Sequence, residues 1–168
     1  MSSVSTGAAF RKATPADLPE INAVRNYYIK HTTSNLLFDE VSDAEFSKGF
    51  HSRDEKTPLY AVELNKKIIG FGSIGYFGDR PGYRVTAELG FYLAPEAHGR
   101  GLGKGIVLFL LEEAKKFGFH SVLCRVTSEN EVSLKLHHKL GFTQVATLKE
   151  IGRKFDRYVD VHFFQKMI

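Results

Sequence analysis

Apolar residues recur along this chain with two periods, and the places where one gives way to the other divide it into elements. Leu18, Ile21, Val24, Tyr28 and Ile29 fall at helical spacing. Thr14-Pro15-Ala16-Asp17 stands before them and supplies an N-cap, a proline at the first helical position and an acid three residues after the cap. Ser42 and Glu45 mark a second helix start, with Phe46 and Phe50 on one face. Over residues 103–117 a stripe of Ile106, Val107, Leu110, Leu111, Ala114 and Phe117 opposes Glu112, Glu113, Lys115 and Lys116, and Gly118 closes that helix. A short helix over residues 130–140, ended by Gly141-Phe142, puts Asn130, Ser133 and His137 on one face, where their side chains can converge.

The remaining apolar runs read as strands. Residues 8–13 form a short one, and residues 59–64 and 68–77 form a hairpin around Asn65-Lys66, where asparagine accepts a left-handed backbone. A turn-rich loop over residues 78–82 leads to a strand at about residues 85–93. Residues 121–127 read as an apolar strand buried on both faces, and strand-helix-strand here implies a crossover joining two parallel strands. Residues 144–151 and 157–165 complete the chain as a final strand pair, with Tyr158, Asp160, His162 and Phe164 along one side.

A length of 168 residues suits one domain over residues 8–168, with a small, polar, loose tail at residues 1–7 that lacks the marks of a signal peptide. No apolar run nears the roughly 18 residues of a membrane helix, so the expectation is no membrane partner and a cytoplasmic protein. The net charge of +4 suits a polyanionic ligand, but Lys and Arg are scattered and do not indicate nucleic acid. The one cysteine, Cys124, lies in an apolar run and reads as a buried, inert thiol. His31, His51, His138 and His162 join no cluster with zinc spacing, and no metal is expected.

The candidate chemistry sits in ELGFYLAPEAHGRGLGKG, residues 88–105: a strand, a proline turn, a glycine-rich loop and a helix start. Gly99, Gly101, Gly103 and Gly105 let the backbone fold closely around a bound group, with Arg100 and Lys104 beside it. Free N–H groups and the dipole at the helix start suit phosphate oxygens. A P-loop fails, because His98 and Gly105 stand where glycine and Ser or Thr are needed, and no register gives G-x-G-x-x-G. What remains is a pyrophosphate loop of another kind.

Read as His98-x-x-Gly101-x-Gly103 after a strand, the loop resembles the acetyl-CoA signature of the GCN5-related N-acetyltransferase (GNAT) superfamily, with His98 at a position usually Gln or Arg. ATPADLPEINAVRNYYI, YRVTAE, NEVSLKLHHKLGF and DRYVDVHFFQ are similar to the phosphinothricin and methionine sulfoximine acetyltransferase branch, and the likeness spans nearly the whole chain. It implies an α/β (α+β) fold whose mixed, mostly antiparallel central sheet has splayed central strands flanked by helices.

It further implies acetyl-CoA as co-substrate. The backbone of Phe91, Tyr92 and Leu93 would hold the pantetheine arm; His98, Gly99, Arg100, Gly101, Leu102, Gly103 and Lys104 would hold the pyrophosphate, and the change of residue at His98 matters little if that position contributes mainly its backbone N–H. Asn130 and Ser133 would face the arm. Glu88 would be the base, through a water, and His137 either an acid to the departing thiolate or a partner in deprotonation. Transfer would be direct, with no acyl-enzyme. Arg80 and Tyr83 would hold an amino-acid-like acceptor of the methionine sulfoximine, methionine sulfone or phosphinothricin type, on its α-amine; Gly78, where a cation is usual, counts against phosphinothricin itself. The branch further implies a homodimer. The rival readings are acetylation of another amine (a polyamine, an arylamine or a protein N-terminus) and a CoA-sensing module without turnover.

Overall fold

The computed structural model describes residues 7–168, so the expected tail lies outside the described residues except for Gly7. The chain runs β1 (Ala9–Lys12), α1 (Leu18–His31), α2 (Asp43–His51), β2 (Leu59–Leu64), β3 (Lys67–Tyr76), β4 (Thr86–Leu93), α3 (Leu102–Lys116), β5 (Ser121–Thr127), α4 (Glu131–Lys139), β6 (Thr143–Lys154) and β7 (Arg157–Met167). Thr14 does start a helix, but in two steps: a tight turn over Pro15–Asp17 comes first, and α1 proper begins at Leu18. Asn65 and Lys66 both take positive φ, 51° and 63°, which is the left-handed pair that a two-residue hairpin turn needs.

The strands lie in the order β1-β2-β3-β4-β5-β7-β6, and every pairing is antiparallel except β4 with β5, the pair that α3 connects. The expected mixed, mostly antiparallel sheet flanked by helices is what forms. On one face α3 lays Ile106, Val107 and Leu110 against Ile74, Ala87, Leu89, Val122, Cys124, Val126 and Phe164. On the other, α1 lays Leu18, Ile21 and Val24 against Leu59, Ala61, Ile68 and Phe71. Each such side chain, fully buried, contributes about 1.5–3 kcal/mol. The alternation along β4 and β5 therefore fixes which residues leave the α3 face: Glu88 and Tyr92 on β4, Leu123, Arg125 and Thr127 on β5.

The last hairpin is longer than its sequence pattern indicates. β6 continues past residue 151 because the ladder slips between Leu148 and Gly152, with Glu150 at φ 51° and its N–H donating to Asp160 Oδ1 at 2.8 Å. A bulge of this kind interrupts the two-residue period without ending the strand. Among the described residues no helix is long and apolar enough to cross a membrane.

Candidate active site

β4 and β5 pair only at Thr86 with Ser121, Ala87 with Val122 and Glu88 with Leu123, and beyond Glu88 they part. Each keeps its outer neighbour throughout, β3 for β4 and β7 for β5. The even-numbered residues of β4 bond to β3: the Phe77 N–H donates to Thr86 O at 3.1 Å and the Ala94 N–H to Ile69 O at 2.8 Å. Alternation then turns the N–H and C=O of Leu89, Phe91 and Leu93 toward β5. The same count on β5, set by the Ser128 N–H on Asp160 O and the Ile168 N–H on His120 O, turns Arg125 and Thr127 toward β4. Two facing strand edges result, bounding a cavity of about 670 Å³. It is lined by Phe91, Tyr92, Leu93, His98, Gly99, Gly101, Leu102, Gly103, Lys104, Asn130, Ser133 and His137, so the expected cofactor residues meet there, with Arg100 the exception.

At the open end a tight turn over Pro95–Ala97 leads into the glycine loop. Gly101, at φ 74°, takes a left-handed conformation that a side chain resists, and its carbonyl accepts the first bond of α3 from the Gly105 N–H at 3.2 Å. The N–H groups of Leu102, Gly103 and Lys104 precede that bond, and no side chain caps the helix. This is a donor cluster at the positive end of a helix dipole, suited to an anion.

His98 lines the cavity, and its backbone and ring are both engaged within the protein. Its N–H is already spent on Pro95 O at 3.2 Å, because it closes the turn before the loop. The ring does the work instead: Nε2 lies 2.9 Å from Tyr28 Oη and 3.1 Å from Leu93 O. Tyr28 Oη itself donates to Leu93 O at 2.5 Å, so the proton on His98 sits on Nε2. Burial pushes the Tyr28 hydroxyl up to about 12, which keeps it a donor.

α4 forms the opposite wall. Asn130 caps it, with Oδ1 accepting from the Ser133 N–H at 3.1 Å, while Nδ2 donates to Ser34 Oγ at 3.1 Å. One turn on, His137 Nδ1 lies 2.7 Å from Ser133 O and 3.3 Å from Ser133 Oγ. A carbonyl only accepts, so Nδ1 carries the proton and Nε2 keeps a lone pair. The ring is 2% exposed and packs on Phe142 and Phe164, and burial pushes its pKa down toward the neutral form. The loop bearing Ser34 is held from the far end of the chain. Buried Lys154 donates from Nζ to Ile29 O and, at 2.6 Å, to Asn35 O. Arg157 pairs with Glu129 at 2.7 Å, and Thr33 Oγ1 donates to Glu129 at 2.7 Å.

Glu88 stands at the closed end, where the strands part. It shares a face with Arg125, and the two form an ion pair in which Arg125 Nε donates to Glu88 Oε1 at 2.7 Å and Nη2 meets the same oxygen. His137 lies among the α3-face residues, so the two expected catalytic groups approach the gap from opposite faces rather than side by side. Glu88, Arg80 and Tyr83 are not among the cavity-lining residues, and Glu88 touches the cavity through its pair with Arg125, which lines it. Tyr83 is half exposed and stacks edge-on against Phe77 at 5.5 Å, in the loop before β4.

Lining residues not singled out for the site from sequence include Tyr28, Ser34, Arg125 and Thr127, whose side chains bring polar groups to it. Arg125 also corrects the reading of β5 as buried on both faces, since it is the one exposed residue of that strand. A charge inside an otherwise apolar run was the signal available. Cys124 is buried as expected, and desolvation pushes its thiol up. Among the described residues no group of three or more His, Cys, Asp and Glu is placed to hold a metal.

Residues 21–142 match the sequence model of the "Acetyltransferase (GNAT) family". The chain is 31% identical over 157 residues to the L-methionine sulfoximine/L-methionine sulfone acetyltransferase of Salmonella typhimurium, covering 92% of this chain and 91% of the relative. Its fold superposes with a TM-score of 0.92 on a GNAT superfamily phosphinothricin acetyltransferase from Sinorhizobium meliloti solved in complex with AcCoA, at 27% identity, covering 96% of this chain and 89% of that one. A TM-score of 0.92 and 31% identity also relate it to a ribosomal-protein-alanine N-acetyltransferase from Brucella melitensis, over 95% of this chain and 99% of that one.

Proposed function

This chain belongs to the acetyltransferase (GNAT) family, and from that premise we propose that it transfers acetyl from acetyl-CoA to the α-amine of a small amino-acid-like acceptor of the methionine sulfone or sulfoximine kind. The observation that carries the reading is the gap between β4 and β5, with free strand edges along its length, donors at one end and, at the other, the lining residue Arg125 paired with the carboxylate of Glu88 just beyond. Its polar groups fit the co-substrate. Leu89 and Phe91 offer backbone partners to an extended amide-bearing arm, Thr127 Oγ1 is buried without a partner among the described residues, and Leu102, Gly103 and Lys104 offer N–H groups to a pyrophosphate.

Acetyl-CoA supplies an acetyl thioester and a thiolate leaving group. The residues must then bring up an acceptor, take its proton and exclude competing groups. An acceptor ammonium near Glu88 loses a proton to that carboxylate, directly or through one water. The free amine nitrogen bonds to the acetyl carbon, the C–S bond breaks, and the second proton shed by the nitrogen passes to the departing sulfur. The balance is one amide, one thiol and one proton released to solvent. His137 serves as a neutral acceptor on the far wall rather than as the acid, because its one proton is committed to Ser133 O. Function as a cytoplasmic homodimer belongs to the same proposal and rests on family likeness.

The test is thiol release from acetyl-CoA with methionine sulfone, methionine sulfoximine, phosphinothricin, ordinary amino acids, polyamines, arylamines and an alanine-starting peptide. Turnover is expected with the sulfone and sulfoximine, and less with phosphinothricin. Turnover confined to the peptide, polyamines or arylamines overturns the acceptor class, and acetyl-CoA binding with silence across the panel moves the chain to a cofactor-sensing role.

A further inference from the structure

Arg125 is exposed on a strand otherwise buried, its side chain 57% accessible where the pattern calls for an apolar residue. The ion pair with Glu88 uses two of its nitrogens, and both meet the same oxygen, Oε1. A guanidinium has five N–H donors in a planar fork, so the Nη1 side remains available to a second carboxylate, as does Glu88 Oε2 to a second cation.

We propose that Glu88 and Arg125 together read the zwitterion of the acceptor, Arg125 taking its carboxylate and Glu88 its ammonium, so that Arg125 sets the preference for α-amino acids over other amines. This rests on the acceptor class proposed above. In an α-amino acid the two charged groups are separated by a single carbon, and a paired carboxylate and guanidinium presents the complementary charges at matching separation. Each end of the zwitterion then replaces half of the protein's own ion pair, and the exchange frees Glu88 to accept the proton. Without a carboxylate on the acceptor, Arg125 stays on Oε1.

The placement of the other cations favours Arg125. Among the described lining residues the Lys and Arg side chains are Lys104 and Arg125. Lys104 belongs to the helix start beyond Leu93, and Leu93 is itself five strand residues, roughly 17 Å, from Glu88. Arg80, expected from sequence to hold the carboxylate, does not line the cavity; Glu88 does not either, but it is bonded to Arg125, which does. Arg125 is a specificity residue in this scheme; the proton goes to Glu88.

The experiment compares methionine sulfone with its decarboxylated counterpart, a primary amine with the same sulfone tail, in the wild-type protein, Arg125→Gln and Arg125→Lys. Acetyl-CoA affinity by calorimetry reports whether each variant is folded. The wild type is expected to favour the sulfone, and Arg125→Gln to lose about thirtyfold or more in kcat/KM for it, chiefly through KM, while the plain amine is turned over as well as before or better. Arg125→Lys should recover part of the loss. Equal loss on both acceptors, or no change on either, overturns the role of Arg125 and leaves the acceptor class standing. A wild type that prefers the plain amine overturns both.

Discussion

At the open end of the gap, around Gly101 and Lys104, the groups that face a ligand are backbone N–H donors presented by a helix start; at the closed end, around Glu88 and Arg125, they are two side chains holding one another. The first arrangement depends on conformation and tolerates many side chains, so long as left-handed positions stay glycine. The second depends on identity, and under the proposed scheme a single atom exchanged there alters which acceptor fits. A site built this way separates binding of a shared co-substrate from choice of acceptor, and the two should fail independently.

The sharpest break between the ends is Glu88→Gln, which keeps the shape and removes the proposed proton acceptor. It should lower kcat about a hundredfold while acetyl-CoA affinity, measured by calorimetry, stays as it was. Loss of both together would make Glu88 a structural residue and join the two ends. Gly101→Val acts at the other end: a β-branched residue at φ 74° should cost about 1–2 kcal/mol of stability in thermal unfolding. It should also raise the KM for acetyl-CoA with kcat at saturation largely kept. A fall in kcat at unchanged KM would contradict the division.

The smallest effect concerns the wall between them. Burial lowers the pKa of His137 below its ordinary 6.5, so the unfolded chain binds the proton more readily than the folded one. Stability from this group is complete above pH 6.5 and is lost as pH falls through the folded value, at no more than about 1.4 kcal/mol per pH unit. Denaturant unfolding between pH 5 and 7 should show that slope, and His137→Phe should reduce it. An unchanged slope would place the titrating group elsewhere.

The same contrast governs what could be read from the chain. Gly99, Gly101 and Gly103 announce a tight loop by spacing alone, and Asn130, Ser133 and His137 meet because three and four residues make a helix turn. Those relations are local. The Glu88–Arg125 pair depends on which residue of β5 stands beside which residue of β4, 37 positions apart, and on the sheet face each occupies. No short-range period carries that information. Likewise, family likeness assigns Arg80 to the acceptor, but the distance from its loop to the cavity is a property of the folded hairpin. At His98 a local detail escaped the motif: the turn over Pro95–Ala97 takes up its N–H, and the ring faces Tyr28 and Leu93.

The sheet order has a consequence for how the protein is made. β5 takes its outer neighbour from β7, the last strand, and the loop bearing Ser34 is fastened by Lys154, 125 residues after Ile29. During synthesis the glycine loop and α3 emerge from the ribosome well before either partner exists. The nascent chain therefore carries a half-finished cleft, and only the closing hairpin turns it into an enzyme.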